Sequence, residues 1–268
     1  VFDFEMNILK INKEALKLLG YNKDKSPTSI NDFKTKYTKP LQRFFEKDKF
    51  NWQDNTNEFL FSFINRNKKL KYVNIKASLL KDSKNKPYGY QTIIRDITKQ
   101  HVVEQELKEQ QKLAVTESLI LKKLLENPNI FDNGYHISNI IAKHLGTDDC
   151  VFFAVIDKKL LQIAATNQKL NSQNKIKNAL EISIGEGVVG KVAQSKKGII
   201  VNNTSKNKDY IVDDQNRLSE ITVPILLDNE LIAIIDAEHP DKNYFKKTQL
   251  DFLSQISSLI SVTLKKNI

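Results

Sequence analysis

The sequence predicts an α+β chain of two domains, each an antiparallel sheet flanked by helices, joined by a helical coiled-coil linker. Three observations carry this. Strand-length alternating runs are separated by turn residues rather than crossover helices, which fits antiparallel meanders. Residues 99–126 hold neither Pro nor Gly and repeat apolar residues at spacings of three, four and seven. The 268 residues, 40% of them apolar, suffice for two cores. The divisions fall at 1–98, 99–126 and 127–268.

In the first domain, "VFDF" and "ILKIN" read as short strands around a turn at Met6–Asn7. Asn12 is a suitable N-cap for the helix "KEALKLL", and Gly20 is its stop. Short helical pieces follow in "SPTSINDF" and "KPLQRFFEKDKF". Three strands close the domain: "EFLFSFINRN", "KKLKYVNIKASLLKD" and "KPYGYQTIIRDIT". The chain opens at Val1 as a strand without lead-in, so the sequence reads as a piece cut from a longer protein.

In the linker, Val103, Leu107, Ala114, Leu121 and Leu124 or Leu125 form a heptad stripe, with Gln110 and Glu117 at intervening seam positions. That pattern predicts a parallel dimer of marginal stability; a surface helix packed on a neighbouring domain is the alternative. In the last domain, "YHISNIIAKHLG" reads as a helix, "CVFFAVID" and "LLQIAATN" as strands around Lys158–Lys159, and "EISI" as a strand entering a glycine turn. A short helix "VVGKVAQSKKG" stops at Gly198. "SEITVPILLDNELIAIIDAEHP" is a hairpin over Asp228–Asn229. The final helix buries Leu250, Leu253, Ile256 and Ile260.

The glycine turn, "GEGVVG" at Gly185, Gly187 and Gly190, has the spacing of a dinucleotide-binding fingerprint. Its context differs. The preceding strand alternates instead of running apolar, the following helix is short, and the chain then enters a hairpin. No NAD site is expected, and the glycines serve the backbone.

Taken with their order, these motifs carry two resemblances. "ILKINKEALKLLGY" and the terminal "IIRDIT" resemble a PAS domain with its PAC portion over 1–98. Gly185, Glu186, Gly187, Val188, Gly190, Ala193 and Gly198, followed by "VPILLDNELIAIIDAEHP", resemble a GAF domain over about 117–266. The resemblances imply a bacterial sensory region, with an output domain, such as a histidine kinase, outside this chain. They imply no enzyme here. They also imply a signal joint at Asp96 and Thr98, where the last PAS strand meets the outgoing helix. Pocket candidates are Phe33, Phe44, Phe61, Phe63 and Tyr72 in the PAS part, where core filling is the alternative. In the GAF part they are Val189, Tyr210, Ile221, Val223 and Asp236.

Other chemistries are excluded or weakened by composition. Residues 1–98 contain no His or Cys, which excludes a His-ligated haem and cysteinyl-flavin chemistry there. The one cysteine, Cys150, opens a core-like strand and reads as a buried hydrophobe, not a bilin attachment point. It also cannot form the cysteine pair of methionine-sulfoxide reductase GAF enzymes. Asp236, Glu238 and His239 are the nearest approach to a metal cluster, but a hydrogen-bonded strand end explains them as well, so no metal is expected. His136 and His144 lie eight apart on one helix, too far for chelation, and His101 sits in the linker.

The net charge is +10, and residues 1–98 carry 20 Lys and Arg against 11 Asp and Glu. Only four residues are Arg, which suits base readout poorly. A basic surface for nucleic acid or an anionic membrane is the alternative to sensing, as is a plain dimerisation scaffold. No apolar run spans a membrane and no basic-apolar leader opens the chain, so a cytoplasmic homodimer sensing an unknown small ligand is expected.

Overall fold

The computed structural model describes residues 1–5, 7–22, 26–29, 58–127, 129–166, 176 and 179–265. The chain separates into two compact units, Val1–Lys108 and Glu109–Ile268.

In the first unit, α1 (Lys13–Leu19) forms where the capping residues dictate. Asn12 accepts from the Ala15 amide at 2.8 Å, and Gly20 closes the helix at φ 80°. Strands β1 (Glu58–Ile64), β2 (Leu70–Lys81) and β3 (Pro87–Asp96) form an antiparallel meander in chain order. Cross-strand pairs Phe61–Val73 and Ile75–Ile94 put their side chains on one face. Phe63, Val73 and Ile75 are its buried core, with Leu18, Leu19, Phe61 and Ile94 packed against them. The turn after β1 is tied to α1, because the Asn65 amide donates to Leu18 O at 3.2 Å. Among the described residues the N-terminal stretches make isolated bridges, Phe2 with Ile8 and with Tyr90 and Asn7 with Ser29, rather than the expected strand pair.

Helix α2 (Thr98–Glu126) is continuous. Within the second unit its buried residues are Thr116, Ile120 and Leu124, with Leu113 packed beside them. Val103, Leu107, Ala114 and Leu121, on the expected seam, are exposed.

The second unit is a six-stranded antiparallel sheet in the order β6-β5-β4-β9-β8-β7. Its strands are β4 (Val151–Ile156), β5 (Lys159–Ala165), β6 (Glu181–Ser183), β7 (Ile199–Val201), β8 (Ser219–Leu227) and β9 (Glu230–His239). Helices α3 (Ile130–Leu145) and α5 (Lys247–Lys265) cover one face together with the end of α2. There Ile120, Ile137, Ile141, Leu253, Ile256 and Ile260 meet Ile221, Val223 and Ile235. Each such buried aliphatic side chain contributes about 1.5–3 kcal/mol. Helix α4 (Gly187–Ser195) covers the other face, where Val189, Val192 and Ala193 meet Val151, Phe153, Leu160, Ile182 and Ile234. The two turns with left-handed pairs are Asp157–Lys158 and Asp228–Asn229. The first lies one residue before its expected place. Among the described residues no helix is long and apolar enough to cross a membrane.

The glycine turn joins a three-residue strand to a nine-residue helix. A Cβ on Gly190 would lie 2.4 Å from Ser183 O, and Gly187 holds φ 65° beneath Ile211. The helix ends at Lys196, in left-handed conformation, two residues before the expected stop.

Candidate functional site

The site follows from the pairing of β8 with β9. Glu220 lies opposite Glu238, and Thr222 opposite Asp236. Directly opposed residues share a face, so three carboxylates point to the side covered by α4. Their oxygens lie within 4.8 Å of one another, and all three residues are buried. Thr222 Oγ1 donates to Asp236 Oδ1 at 2.6 Å. A cavity of about 20 Å³ stands beside them, lined also by Phe153, Leu180, Ile182, Val188, Val189, Ile211 and Asp213.

Burial pushes the Glu220 carboxyl well above its ordinary range, and the Asp236 and Glu238 charges push it further. Both effects favour the protonated form of this carboxyl over the charged one. Glu238 is balanced differently. Arg217, 2% exposed, reaches it at 3.4 Å and also contacts Asp214, Asp149 and Asp148. The Tyr210 hydroxyl accepts from the Arg217 amide at 3.1 Å, and burial, with the Glu238 charge, pushes that phenol up. Asp213 is held by the Gln162 amide at 2.9 Å, and Gln162 in turn accepts from the Leu180 amide. The cavity wall and the acid cluster are thus fixed by buried polar partners.

Of the residues expected to face this cavity, Val189 and Asp236 line it and Tyr210 stands behind Glu238 through Arg217. Ile221 and Val223 lie on the opposite face, in the helical core, because strand side chains alternate. Glu220, Glu238 and Arg217 complete the site and lay outside the pocket residues read from sequence. His239 leaves the suggested metal grouping: it stacks on Tyr244, ring centroids 3.4 Å apart, and its Nδ1 accepts from the Asp241 amide. Glu220 takes its place. Cys150 is fully buried in the helix-side core.

In the first unit, Phe61 and Phe63 line a cleft with Ile8, Leu18, Val73 and Ile94. Tyr72 stacks on His101 at 3.9 Å. Phe33 and Phe44 lie outside the described residues. Asp96 Oδ1 accepts from the Thr98 amide at 2.9 Å, and Thr98 Oγ1 accepts from the Tyr72 amide at 3.0 Å. Burial raises the Asp96 carboxyl, but the Lys71 ammonium at 2.8 Å and the Thr98 donors outweigh it and hold the group below its usual range. Strand β3, strand β2 and the start of α2 are thereby locked at one point.

Residues 1–99 match the family model of the PAS domain, and residues 136–265 that of the GAF domain. The chain pairs a PAS domain with a GAF domain. Solved GAF folds resemble the second unit. The GAF domain of a phosphoenolpyruvate-protein phosphotransferase from Coxiella burnetii is 18% identical at a TM-score of 0.51, covering 58% of this chain and 94% of that one. The free methionine-R-sulfoxide reductase of Neisseria meningitidis, solved with its substrate, is 18% identical at a TM-score of 0.50, covering 59% and 88%. At those identities they show the fold. In sequence, 81 residues are 33% identical to the free methionine-R-sulfoxide reductase of Saccharomyces cerevisiae, covering 30% of this chain. The match spans 45% of the yeast protein.

The yeast relative corrects one expectation. It is an enzyme, so the GAF region here is not to be set aside as non-catalytic on the strength of its fold or its cysteine count. PAS and GAF domains together fit a sensory signalling module. None of these three relatives is named as a histidine kinase.

Proposed function

We propose that the chain is the sensory part of a signalling protein whose GAF domain takes up a small polar ligand at the Glu220–Asp236–Glu238 cavity. The observation that carries this is the convergence of three buried carboxylates on one small cavity. Such a grouping costs folding energy, which a ligand with donors or positive charge offsets on binding. Free methionine sulfoxide is the first candidate, because the yeast relative is named for it. Its ammonium suits Asp236 and Glu238, and its sulfoxide oxygen suits Glu220, whose carboxyl is pushed toward the protonated form. A cavity of about 20 Å³ holds one water, so uptake of an amino acid moves Ile211 and Val189 outward.

Transmission runs through the helices on the other side of the sheet. Thr116 Oγ1 and His144 Nδ1 are 2.7 Å apart, and the His144 ring stacks on Phe252 at 3.8 Å. These contacts tie α2, α3 and α5 together, so a shift in β8 or β9 reaches all three. The exposed stripe Val103, Leu107, Ala114 and Leu121 serves a parallel homodimer. The output domain, a histidine kinase or another effector, belongs to the same parent protein, and the module works in the cytoplasm. Sedimentation of the full chain is expected to show a dimer that Leu107→Glu converts to monomer.

The yeast relative favours a second reading, in which the GAF domain also reduces the sulfoxide. That reaction takes two electrons and two protons and releases the sulfoxide oxygen as water. With one cysteine in the chain, the electrons come from a dithiol in solution.

Thermal-shift measurements with methionine-R-sulfoxide and a panel of free amino acids test the binding site. A stabilised wild type and an unresponsive Asp236→Asn variant are expected. A response that survives in Asp236→Asn, or no response across the panel, contradicts it. Formation of methionine under dithiothreitol separates turnover from binding alone.

A further inference from the structure

We propose that Glu220, Asp236 and Glu238 form a binding site for a hard divalent cation of the Mn²⁺ or Ca²⁺ class. The inference rests on the reading of this cavity as the GAF domain's binding site and names a ligand chemistry for it. Four features point the same way.

The donor set is made of carboxylate oxygens from three residues within 4.8 Å of one another. Oxygen-only sites select hard cations, because soft metals gain little without nitrogen or sulfur. The Glu220 Oε2 atom is buried and meets no hydrogen-bond donor, on a residue only 3% exposed. A carboxylate oxygen in that position calls for a proton or a cation. The cavity of about 20 Å³ has the size of one ion or one water.

Charge balance completes the case. The β8–β9 register brings the three carboxylates to one face of the sheet. Among the described residues, Arg217 pairs with Glu238 and also with Asp148, Asp149 and Asp214, so one guanidinium is shared among four acids. Asp213 lines the same cavity as the three carboxylates. A divalent cation seated among the three carboxylates offsets that charge. Thr222, donating to Asp236 Oδ1, orients that carboxylate as an outer partner of the ion.

The test uses the full chain, stripped with EDTA and titrated with MnCl₂, CaCl₂ and MgCl₂. Melting temperature is followed for all three, and the electron paramagnetic resonance signal of free Mn²⁺ counts bound ions. One Mn²⁺ per chain and a rise in melting temperature are expected. Glu220→Gln and Asp236→Asn are each expected to weaken binding on the order of tenfold or more. Glu230→Gln, an exposed acid on the same strand as Asp236, should bind as wild type. No uptake of any of the three ions, or equal uptake by wild type and Glu220→Gln, overturns the inference. If methionine-R-sulfoxide still stabilises wild type but not Asp236→Asn while no ion binds, the cation site fails and the cavity remains a binding site.

Discussion

Glu220 and Glu238 stand directly opposite one another on β8 and β9, both buried. Two acids so placed repel, and an antiparallel sheet keeps this pairing only where something compensates. Arg217 compensates for Glu238, and protonation or a ligand compensates for Glu220. The pairing concentrates buried acid on the face beneath α4.

Arg217 should therefore be the most sensitive polar residue of the second unit. Arg217→Met leaves Asp149 and Glu238 buried without their guanidinium and is expected to cost about 3–5 kcal/mol. Arg217→Lys keeps the charge but not the planar fork, and should recover only part of the loss. Urea unfolding of both variants checks this. A loss below about 1 kcal/mol for Arg217→Met would show that the buried ion network adds little.

His144 predicts a pH dependence. Burial, and then the Lys112 charge, lower its pKa from 6.5 to about 4, against a smaller opposing effect of Glu109. Between those values the unfolded chain binds a proton that the folded chain refuses. Stability thus falls as pH drops from 6.5 toward 4. The ring is only partly buried, so the loss is on the order of 1 kcal/mol. His144→Gln should flatten that segment of the stability curve. An unchanged slope would remove His144 as its cause.

Much of this architecture was legible in the sequence. Asn12 and Gly20 marked both ends of α1, and Asp228–Asn229 marked the β8–β9 hairpin, because caps and tight turns are local chemistry. The acid cluster was half legible. Asp236 and Glu238 alternate to one face, but counting outward from the turn sets Glu220 opposite Ala237, on the other face. A register shift between Ile225 and Leu226 moves Glu220 opposite Glu238 instead. No local residue signal announces that bulge. The face of α2 was hidden for a similar reason. Leu113, Thr116 and Ile120 pack on the GAF core one position off the heptad stripe, joined by Leu124 from its end, because α3 and α5 supply the partner surface.

The glycine turn predicts a steric failure rather than a lost cofactor. Gly190→Ala sets a methyl group 2.4 Å from Ser183 O. Moving α4 away from β6 should cost about 1–3 kcal/mol. Val192→Ile, at a buried position of the same helix, serves as the comparison for added volume. Equal melting temperatures for wild type and Gly190→Ala would contradict the packing role.

At the PAS joint, Thr98→Val removes the acceptor for the Tyr72 amide and the hydroxyl facing Asp96. A cost of about 0.5–2 kcal/mol is expected. Amide exchange should quicken at Tyr72 and in the first turn of α2, with the far end of β2 unaffected. Uniform exchange changes across the first unit would argue for general destabilisation instead of a joint.

The central claim is that the acid cavity of the GAF domain is where ligand is taken up. Hydrogen–deuterium exchange of the full chain, with and without MnCl₂ or methionine-R-sulfoxide, tests it most directly. Slower exchange in Ser219–Leu227, Glu230–His239 and Gly187–Ser195, lost in Asp236→Asn, is the predicted result. Protection confined to the cleft of the first unit, or no change at those segments with either probe, would contradict it.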